Sequence, residues 1–266
     1  MLPECSEILL DNSDGVLTIT LNRPHKRNAM NSQLVSEVMA VFSAIADDRT
    51  IRAVVLKGAE GNFCAGGDIS DMNKPGQSKE QADKAAWEFN RSFGHMITQV
   101  NQAPQVVITL LEGAVLGGGF GLACISDVAI ADSNALFVLP ETGLGIPPAQ
   151  IAPFVVKRIG LTQARHLALV GERINGQRAQ ALGITHYVTD SPQQMADTLA
   201  SVIKGVKRCA PQANAWTKEL MMKVGVVEHE QLLDTAADYF SRAINSDEGR
   251  EGTRAFLEKR KPNWAQ

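Results

Sequence analysis

The chain has 266 residues, of which 44% are hydrophobic and 21% charged, and its formal net charge at pH 7 is −3. This composition is typical of a globular protein and excludes a disordered, collagen-like or coiled-coil chain. The small net charge predicts no attraction to nucleic acid or to an anionic membrane surface. Apolar stretches such as Val106–Leu111 are far shorter than the ~20 residues of a membrane-spanning helix. We therefore expect neither a nucleic-acid partner nor a membrane partner.

The N-terminal residues and the cysteines favour a cytoplasmic protein with reduced thiols. The chain begins without the basic segment and apolar core of a secretory signal. Its cysteines and its five histidines are scattered without the spacing of metal ligands, so we expect no metal site. The cysteines are Cys5, Cys64, Cys124 and Cys209.

Strand-like and helix-like patterns alternate over the first ~190 residues, and helical patterns dominate the rest. A helix is predicted after a cap at Asn31 or Ser32, and others over residues 77–102 and from Gly117 through Cys124. The pattern predicts an α/β fold with a core domain at 1–195 and a helical region at 196–266. The predicted strands are Ile8–Leu10, Val16–Leu21, Ile51–Lys57, Val106–Leu110, Asp127–Ala131, Leu136–Leu139 and one near His186–Val188.

Two glycine-rich segments do not complete known nucleotide motifs. Gly61–Gly66 has the spacing of a phosphate-binding loop, but Gly67 and Asp68 stand where lysine and a hydroxyl residue are needed. Gly117–Gly121 is followed by Leu122 where the dinucleotide fingerprint requires glycine. The sequence therefore predicts no nucleotide phosphate site in either segment.

The same two regions can serve another purpose. Phe63–Ile69 follows a strand, and Gly113–Gly121 lies where a strand gives way to a helix. Glycine lets a backbone N–H approach a ligand closely, and a helix N-terminus presents unpaired N–H groups. Two such loops facing each other can form an oxyanion hole. From the glycines alone, tight turns or close packing remain the more common explanation.

Six motifs in a fixed order are more specific than the glycine content. Together they resemble the crotonase superfamily of enoyl-CoA hydratases and isomerases along nearly the whole chain. The resemblance implies a spiral of ββα units and a C-terminal helical region that mediates trimers, often paired into hexamers. The motifs are Leu21–Pro24 with Asn28–Met30, Phe63–Ile69, Leu116–Gly119, Ser126-Asp127 with Ala129, Pro140-Glu141, and the stretch from Glu251-Gly252 through Ala255-Phe256 and Glu258–Arg260 to Pro262.

The resemblance also implies roles for individual residues. Glu141 matches the catalytic acid/base, and the N–H groups of Gly67 and Gly118 match the donors that hold the thioester oxygen. Phe256 and Lys259 match positions that reach the adenine end of CoA, often from a neighbouring subunit. CoA enters as part of the substrate, and no metal or other cofactor is implied. The remaining expected substrate- and CoA-binding residues are Lys26, Asn28, Ala65, Asp68 and Ile69.

The sequence departs from the usual hydratase pattern at two places. Gly121 stands where typical hydratases have a first glutamate, and Gly145–Pro153 replaces a glycine-rich loop. These departures resemble bacterial hydratases of branched glutaconyl-CoAs in acyclic-terpene and leucine degradation, first isohexenylglutaconyl-CoA hydratase and then 3-methylglutaconyl-CoA hydratase. We expect Gly121 to free space and remove a negative charge, which suits a branched acyl chain bearing its own carboxylate.

A single glutamate leaves the reaction open. Glu141 can activate water and protonate Cα, which is hydration, or move a proton between Cα and Cγ, which is isomerisation. The leading interpretation is a hydratase that adds water to a branched glutaconyl-type acyl-CoA. The alternatives are an enoyl-CoA isomerase with the same glutamate and a non-catalytic CoA-binding protein.

Several other reactive or bulky side chains have simpler explanations. Glu112 is expected to be structural, and Asp68 and Asp127 to hold loops through backbone N–H groups. Cys64 has no evident histidine partner and is expected to pack as a small residue. Four large side chains on the helix at 77–102 fit core packing or an acyl pocket, with core packing favoured; they are Trp87, Phe89, Phe93 and Met96.

Overall fold

The computed structural model describes residues 1–68 and 78–265. Ile69, one of the expected CoA contacts, lies outside the described residues. The strands are β1 (Ile8–Ser13), β2 (Val16–Leu21), β3 (Ala53–Gly58), β4 (Val106–Leu111), β5 (Ala114–Leu116), β6 (Val128–Asp132), β7 (Leu136–Val138) and β8 (Tyr187–Thr189). The α-helices are α1 (Ser32–Ala44), α2 (Lys79–Gln102), α3 (Gly118–Ile125), α4 (Ala152–Val170), α5 (Gly176–Ala181), α6 (Pro192–Arg208), α7 (Pro211–Lys223), α8 (His229–Ile244) and α9 (Asp247–Leu257).

Six strands form one sheet in the order β1-β2-β3-β4-β6-β8, and β5 and β7 form a separate parallel pair. β1 and β2 are antiparallel, as a hairpin requires, and the other neighbours in the large sheet are parallel. Helical connections between parallel strands follow from the need for a long crossover. The predicted α/β fold is confirmed.

The large sheet is covered on both faces because successive side chains of its strands belong to two different apolar clusters. In β3, Val54 and Leu56 belong to the main core, whereas Ala53 and Val55 face a second cluster. Successive side chains of a strand point to opposite faces, which gives this division. Helix α6 covers the second face with Met195, Leu199, Val202, Ile203 and Val206.

The covering role of α6 bears on the predicted domain boundary. A division between residues 195 and 196 falls inside α6 and cuts a helix that packs on the sheet. The helices beyond it, α7 to α9, pack in sequence on one another. Helix α6 thus packs with the core sheet up to Arg208, and the division into two domains stays a prediction.

Some predicted elements differ from the observed ones. Helix α4 begins at Ala152, where the sequence indicated a loop, and a non-helical residue, Gly160 with φ 76°, breaks it into two parts. Strand β5 lies within Gly113–Gly121, for which the sequence predicts a glycine loop. Asn31 caps α1 by accepting a hydrogen bond from the Leu34 N–H at 2.8 Å, which confirms one of the two expected caps.

The C-terminal helices leave many large apolar side chains uncovered. The exposed residues between α7 and α9 are Met221, Val224, Val226, Leu233, Phe240, Ile244, Phe256 and Leu257.

Among the described residues, every helix is too short or too polar to span a membrane.

Candidate active site

Three parallel chain segments bring the expected catalytic residues together. Cys64 in the first glycine loop pairs in parallel with Val115 of β5, and β5 pairs in parallel with β7. The carboxyl ends of neighbouring parallel segments meet at one edge. Gly67, Gly118 and Glu141 follow these three segments, so the topology places them at the same edge.

The first loop presents the N–H of Gly67. Met30 N–H donates to the Gly66 carbonyl at 2.8 Å, and Asp68 N–H donates to the Met30 carbonyl at 2.8 Å. This parallel bridge uses both backbone groups of Met30, so the N–H of Gly67 points away from it. Within residues 1–68 and 78–265, this N–H has no hydrogen-bond acceptor. It is available to a ligand.

The second loop presents the N–H of Gly118. Gly117 has φ 50° and turns the chain sharply from β5 into α3, while its own N–H donates to the Val138 carbonyl at 3.0 Å. Gly118 is the first residue of α3, and the first four N–H groups of a helix lack intrahelical acceptors. The positive end of the helix dipole adds to the attraction for a negative oxygen at this point.

Glu141 lies directly against this turn. A Cβ atom built on Gly117 would lie 2.7 Å from Glu141 Oε1 and 3.7 Å from the Cα of Gly66, so the second loop lies between the carboxylate and the first loop, and all three line one cavity. Glu141 Oε2 is buried and has no hydrogen-bond partner among the described residues. Burial raises the pKa of Glu141, although its own backbone N–H opposes the shift. A desolvated carboxylate is a stronger base than an exposed one.

A cavity of about 140 Å³ adjoins the two loops and Glu141. Glu141 is the one ionisable side chain among the described residues that line it. Apart from backbone and glycine, most of its lining is apolar, with the amides of Asn90 and Gln150 as exceptions. The other lining side chains are Met30, Ala65, Phe89, Phe93, Pro140, Leu144, Ile146, Pro147, Pro148, Ala149 and Ile151.

The expectation that Gly121 frees space is wrong. A Cβ atom on Gly121 would overlap Ile151 Cγ2 and would lie 3.0 Å from Ile151 Cβ and 3.1 Å from Ile97 Cδ1. Ile151 is 3% exposed and fills the volume beside α3. The effect of the missing negative charge on an acidic acyl chain stays a prediction.

Buried polar contacts hold the first loop in place. Asp68 is paired with Arg23 at 2.9 Å, and both side chains are buried. Arg23 also pairs with Glu7 at 3.0 Å and donates to the Ala29 carbonyl. The Asn28 side chain accepts from the Arg23 N–H and donates to the carbonyls of Ala59 and Asn62. Any CoA contact of Asn28 would therefore use its backbone.

The other expected CoA contacts are dispersed, and among the described ones only Ala65 lies at the cavity. Lys26 is exposed at the end of a short 3-10 helix, Pro24–Lys26. Ala65 lines the cavity, and its N–H donates to the Arg27 carbonyl at 3.0 Å. Phe256 is 83% exposed, and neither it nor Lys259 lines the cavity.

The remaining candidates have structural roles. Burial raises the pKa of Cys64 to about 12, and its Cβ and carbonyl oxygen pack beneath α3 against Gly119. Asp127 accepts from the Val107 N–H at 2.8 Å and pairs with Lys218, as expected of a loop-holding carboxylate. Glu112 does not line the cavity. No cluster of three metal-ligating side chains occurs within the described ranges.

The four large side chains of α2 divide between core and cavity. Met96 is fully buried, Phe93 is both buried and part of the cavity wall, and Phe89 lines the cavity. Trp87 is 68% exposed, so the core interpretation is wrong for it. Two further cavity residues, Asn90 on the same helix and Gln150 opposite it, were not predicted from the sequence. The position of Asn90 between Phe89 and Phe93, which both line the cavity, is the sequence signal that could have indicated it.

An α/β fold with two oxyanion loops beside a buried glutamate is the arrangement of a thioester-processing enzyme, and we compared the chain with known proteins to identify its family. The enoyl-CoA hydratase/isomerase family matches residues 11–266. The chain therefore belongs to that family, within the crotonase superfamily, and has the crotonase fold.

Relatives in this family carry several activities. The 2,3-dehydroadipyl-CoA hydratase of Escherichia coli K12 is 30% identical over 266 residues, covering 97% of this chain and 98% of the relative. The carnitinyl-CoA dehydratase of Proteus mirabilis is 32% identical over 256 residues, covering 94% and 95%. Among solved structures, Pseudomonas aeruginosa AtuE is 52% identical with a TM-score of 0.94, covering 98% of this chain and 100% of the other.

Proposed function

We propose that this protein is an enoyl-CoA hydratase that adds water to a branched glutaconyl-type acyl-CoA, either isohexenylglutaconyl-CoA or 3-methylglutaconyl-CoA. One observation carries the reaction class. Within the described residues, the buried Oε2 of Glu141 has no partner, and neither do the N–H groups of Gly67 and Gly118, which line the same cavity as Glu141. A base and two oxyanion donors thus converge, and no group in residues 1–68 and 78–265 satisfies them.

The proposed mechanism uses these groups in turn. The Glu141 carboxylate takes a proton from water as the water oxygen bonds to Cβ of the conjugated thioester. Electrons move to the thioester oxygen, where the N–H groups of Gly67 and Gly118 stabilise the enolate. Each such donor contributes on the order of 2.7–4 kcal/mol to the transition state. Protonated Glu141 then returns its proton to Cα, which completes the addition of one water and restores the carboxylate.

The character of the cavity supports an acidic, branched acyl chain. Its walls are mainly apolar and hold one carboxylate, Glu141, among the described residues. Gly121 and Ile151 place hydrocarbon where a second carboxylate would repel an acidic substrate. The similar Escherichia coli protein is named for a dehydroadipyl thioester, an acyl chain that ends in a carboxylate.

We also propose that the chain acts as a homotrimer or a hexamer of paired trimers. The apolar side chains exposed on α7 to α9 support burial against another copy, because large exposed apolar patches mark interaction surfaces. In this arrangement Phe256 and Lys259 reach the adenine end of CoA in a neighbouring subunit. Lys26, Asn28, Ala65, Asp68 and Ile69 complete the CoA and pantetheine contacts within the subunit.

Absorbance of the conjugated thioester tests the reaction directly. The purified enzyme is mixed with 3-methylglutaconyl-CoA and with its isohexenyl analogue, and products are identified by mass. We expect absorbance loss with a gain of one water, abolished by Glu141→Gln. Glu112→Gln is the matched control, since Glu112 lies outside the cavity. Unchanged turnover in Glu141→Gln would remove Glu141 as the acid/base.

An enoyl-CoA isomerase is the second candidate, and the single carboxylate is the observation that favours it. One group can carry a proton between Cα and Cγ without any water. A similar Escherichia coli protein, 29% identical over 251 residues, is a 1,2-epoxyphenylacetyl-CoA isomerase. A double-bond shift in a 3-enoyl-CoA, with no added water in either glutaconyl substrate, would establish isomerisation instead. Absence of both reactions would leave a CoA-binding protein.

A further inference from the structure

An amide pair connects the two walls of the cavity. Gln150 Nε2 donates to Asn90 Oδ1 at 2.9 Å, which joins the segment before α4 to helix α2. Both side chains line the cavity, where nearly all other side chains are apolar. The pair therefore forms the polar patch of the cavity apart from Glu141 and the glycine loops.

This pair retains hydrogen-bond donors. A carboxamide has two N–H donors and one oxygen acceptor. The Asn90–Gln150 bond uses one donor of Gln150 and the oxygen of Asn90. Within the described chain, both N–H groups of Asn90 have no acceptor, and Gln150 has one further N–H. At least three N–H donors therefore remain on the pair.

A positive charge lies behind these donors. A Cβ atom built on Gly94 would lie 2.7 Å from Arg91 Nη1 and would overlap Gln150 Oε1. The Arg91 guanidinium and the Gln150 amide thus lie side by side over the same glycine of α2. Arg91 has no ion pair among the described residues. Its charge favours an anion near the amides.

Ile151 fixes the position of the Gln150 backbone. It follows Gln150 directly, is 3% exposed, and packs against Gly121 on α3. Its carbonyl accepts from the N–H groups of Phe154 and Val155 at 3.0 Å, at the start of α4. A donor on an anchored backbone loses less conformational entropy on binding than one on a free loop.

We propose that the Asn90–Gln150 amide pair, supported by Arg91, binds the carboxylate at the far end of the acyl chain. The proposal rests on the proposed function, since it requires a substrate that carries this carboxylate. Hydrogen bonds from N–H groups to a carboxylate are charge-assisted and stronger than neutral ones. The subsite and Glu141 then fix the two ends of the reacting acyl group.

Two saturated thioesters test the subsite without any reaction. Glutaryl-CoA and butyryl-CoA differ by one carboxylate, and neither has a double bond to hydrate. Titration calorimetry with the full chain measures both dissociation constants. We expect the wild type to prefer glutaryl-CoA by about tenfold or more, the effect of hydrogen bonds to a charged group.

Asn90→Asp is the most informative variant because it keeps the shape of the side chain and the acceptor for Gln150. It replaces the two free N–H donors with a negative charge, so the preference should reverse toward butyryl-CoA. Asn90→Leu should lose the preference, and Arg91→Gln should weaken it. Asn101→Leu, on the same helix but outside this cavity, is the control and should keep the wild-type preference.

The outcomes separate the subsite from the reaction. Equal affinities of the wild type for the two thioesters, or an unaltered preference in Asn90→Asp and Asn90→Leu, would overturn the subsite. Equal losses for both thioesters would show a structural role and also overturn it. Hydration of 3-methylglutaconyl-CoA, measured in parallel, tests the proposed function. Hydration without a binding preference refutes the subsite alone, whereas a preference without hydration refutes the reaction.

Discussion

Ile151 packs its Cγ2 methyl group into the space that a side chain on Gly121 would occupy. The two residues join the helix that carries the Gly118 donor to the start of α4. Gly121 therefore makes room for the Ile151 side chain and does not leave space for the acyl chain. Ile151 therefore fills this part of the protein with hydrocarbon.

Gly121→Ala should destabilise the protein by about 1–3 kcal/mol, the usual cost of overpacking a filled core. Ile151→Ala should cost about 2–5 kcal/mol through the cavity that it leaves. The double variant should cost less than the sum, because the new methyl group fills part of that cavity. Urea unfolding measures the three values.

Gly143→Ala is the control for this cycle. A Cβ atom on Gly143 would meet nothing within 4 Å, so its effect should stay within about 0.5 kcal/mol. Strict additivity of Gly121→Ala and Ile151→Ala would contradict the proposed contact.

Gly118→Pro should lower kcat about 100- to 1000-fold relative to Gly118→Ala. Both variants add a Cβ atom, 2.7 Å from the flexible Cε end of Met30, but only proline removes the N–H. Proline is well tolerated at the first position of a helix, which Gly118 occupies. Steady-state hydration kinetics of the two variants isolate the donor. Similar rates for proline and alanine would exclude this N–H from the oxyanion hole.

Glu141→Gln should raise the melting temperature at neutral pH while it abolishes activity. Burial raises the folded-state pKa of Glu141, so its ionised form opposes folding. The stabilisation conferred by its neutral form is complete below the unfolded pKa of about 4.3 and is lost as pH rises through the higher folded value. The glutamine variant should therefore gain stability near pH 7 and lose this advantage below about pH 4.

Thermal melts of wild type and Glu141→Gln across this pH range measure the difference. A variant that is less stable than the wild type at neutral pH would show that the carboxylate is stabilised rather than strained by its surroundings.

Thiol alkylation of the native protein should modify Cys209 and spare Cys64 and Cys124. Cys209 is exposed, whereas burial raises the pKa of each of the other two thiols to about 12. The thiolate is the reactive form, so these cysteines are protected both by burial, which excludes the reagent, and by their raised pKa, which keeps the thiol protonated. Mass spectrometry of peptides after brief iodoacetamide treatment gives the pattern, and urea-denatured protein serves as the fully labelled control. Rapid native labelling of Cys64 would argue for a reactive thiol beside the first loop.

Local patterns were sufficient for much of the architecture. The alternation in Val16–Leu21 predicted β2 because a strand with one buried face repeats every two residues. Asn31 was recognised as a possible cap because its side chain satisfies a backbone N–H three residues on. The order of glycine loops and Pro140-Glu141 indicated the family, since each motif is contiguous in the chain.

Contacts between distant segments were beyond such patterns. The strand β5 has three residues, too few for a periodic signal, and it exists because Cys64 and β7 pair with its two sides. Ile151 and Gly121 are separated by 30 positions, and Gln150 and Asn90 by 60, so no local rule relates them. The sequence alone determined which residue types are present and those elements, such as β2 and α1, whose pattern repeats locally. Only the tertiary structure decided that Ile151 fills the space beside Gly121 and that the amides of Asn90 and Gln150 face the cavity. Packing depends on the volume shared by segments that are distant in the chain.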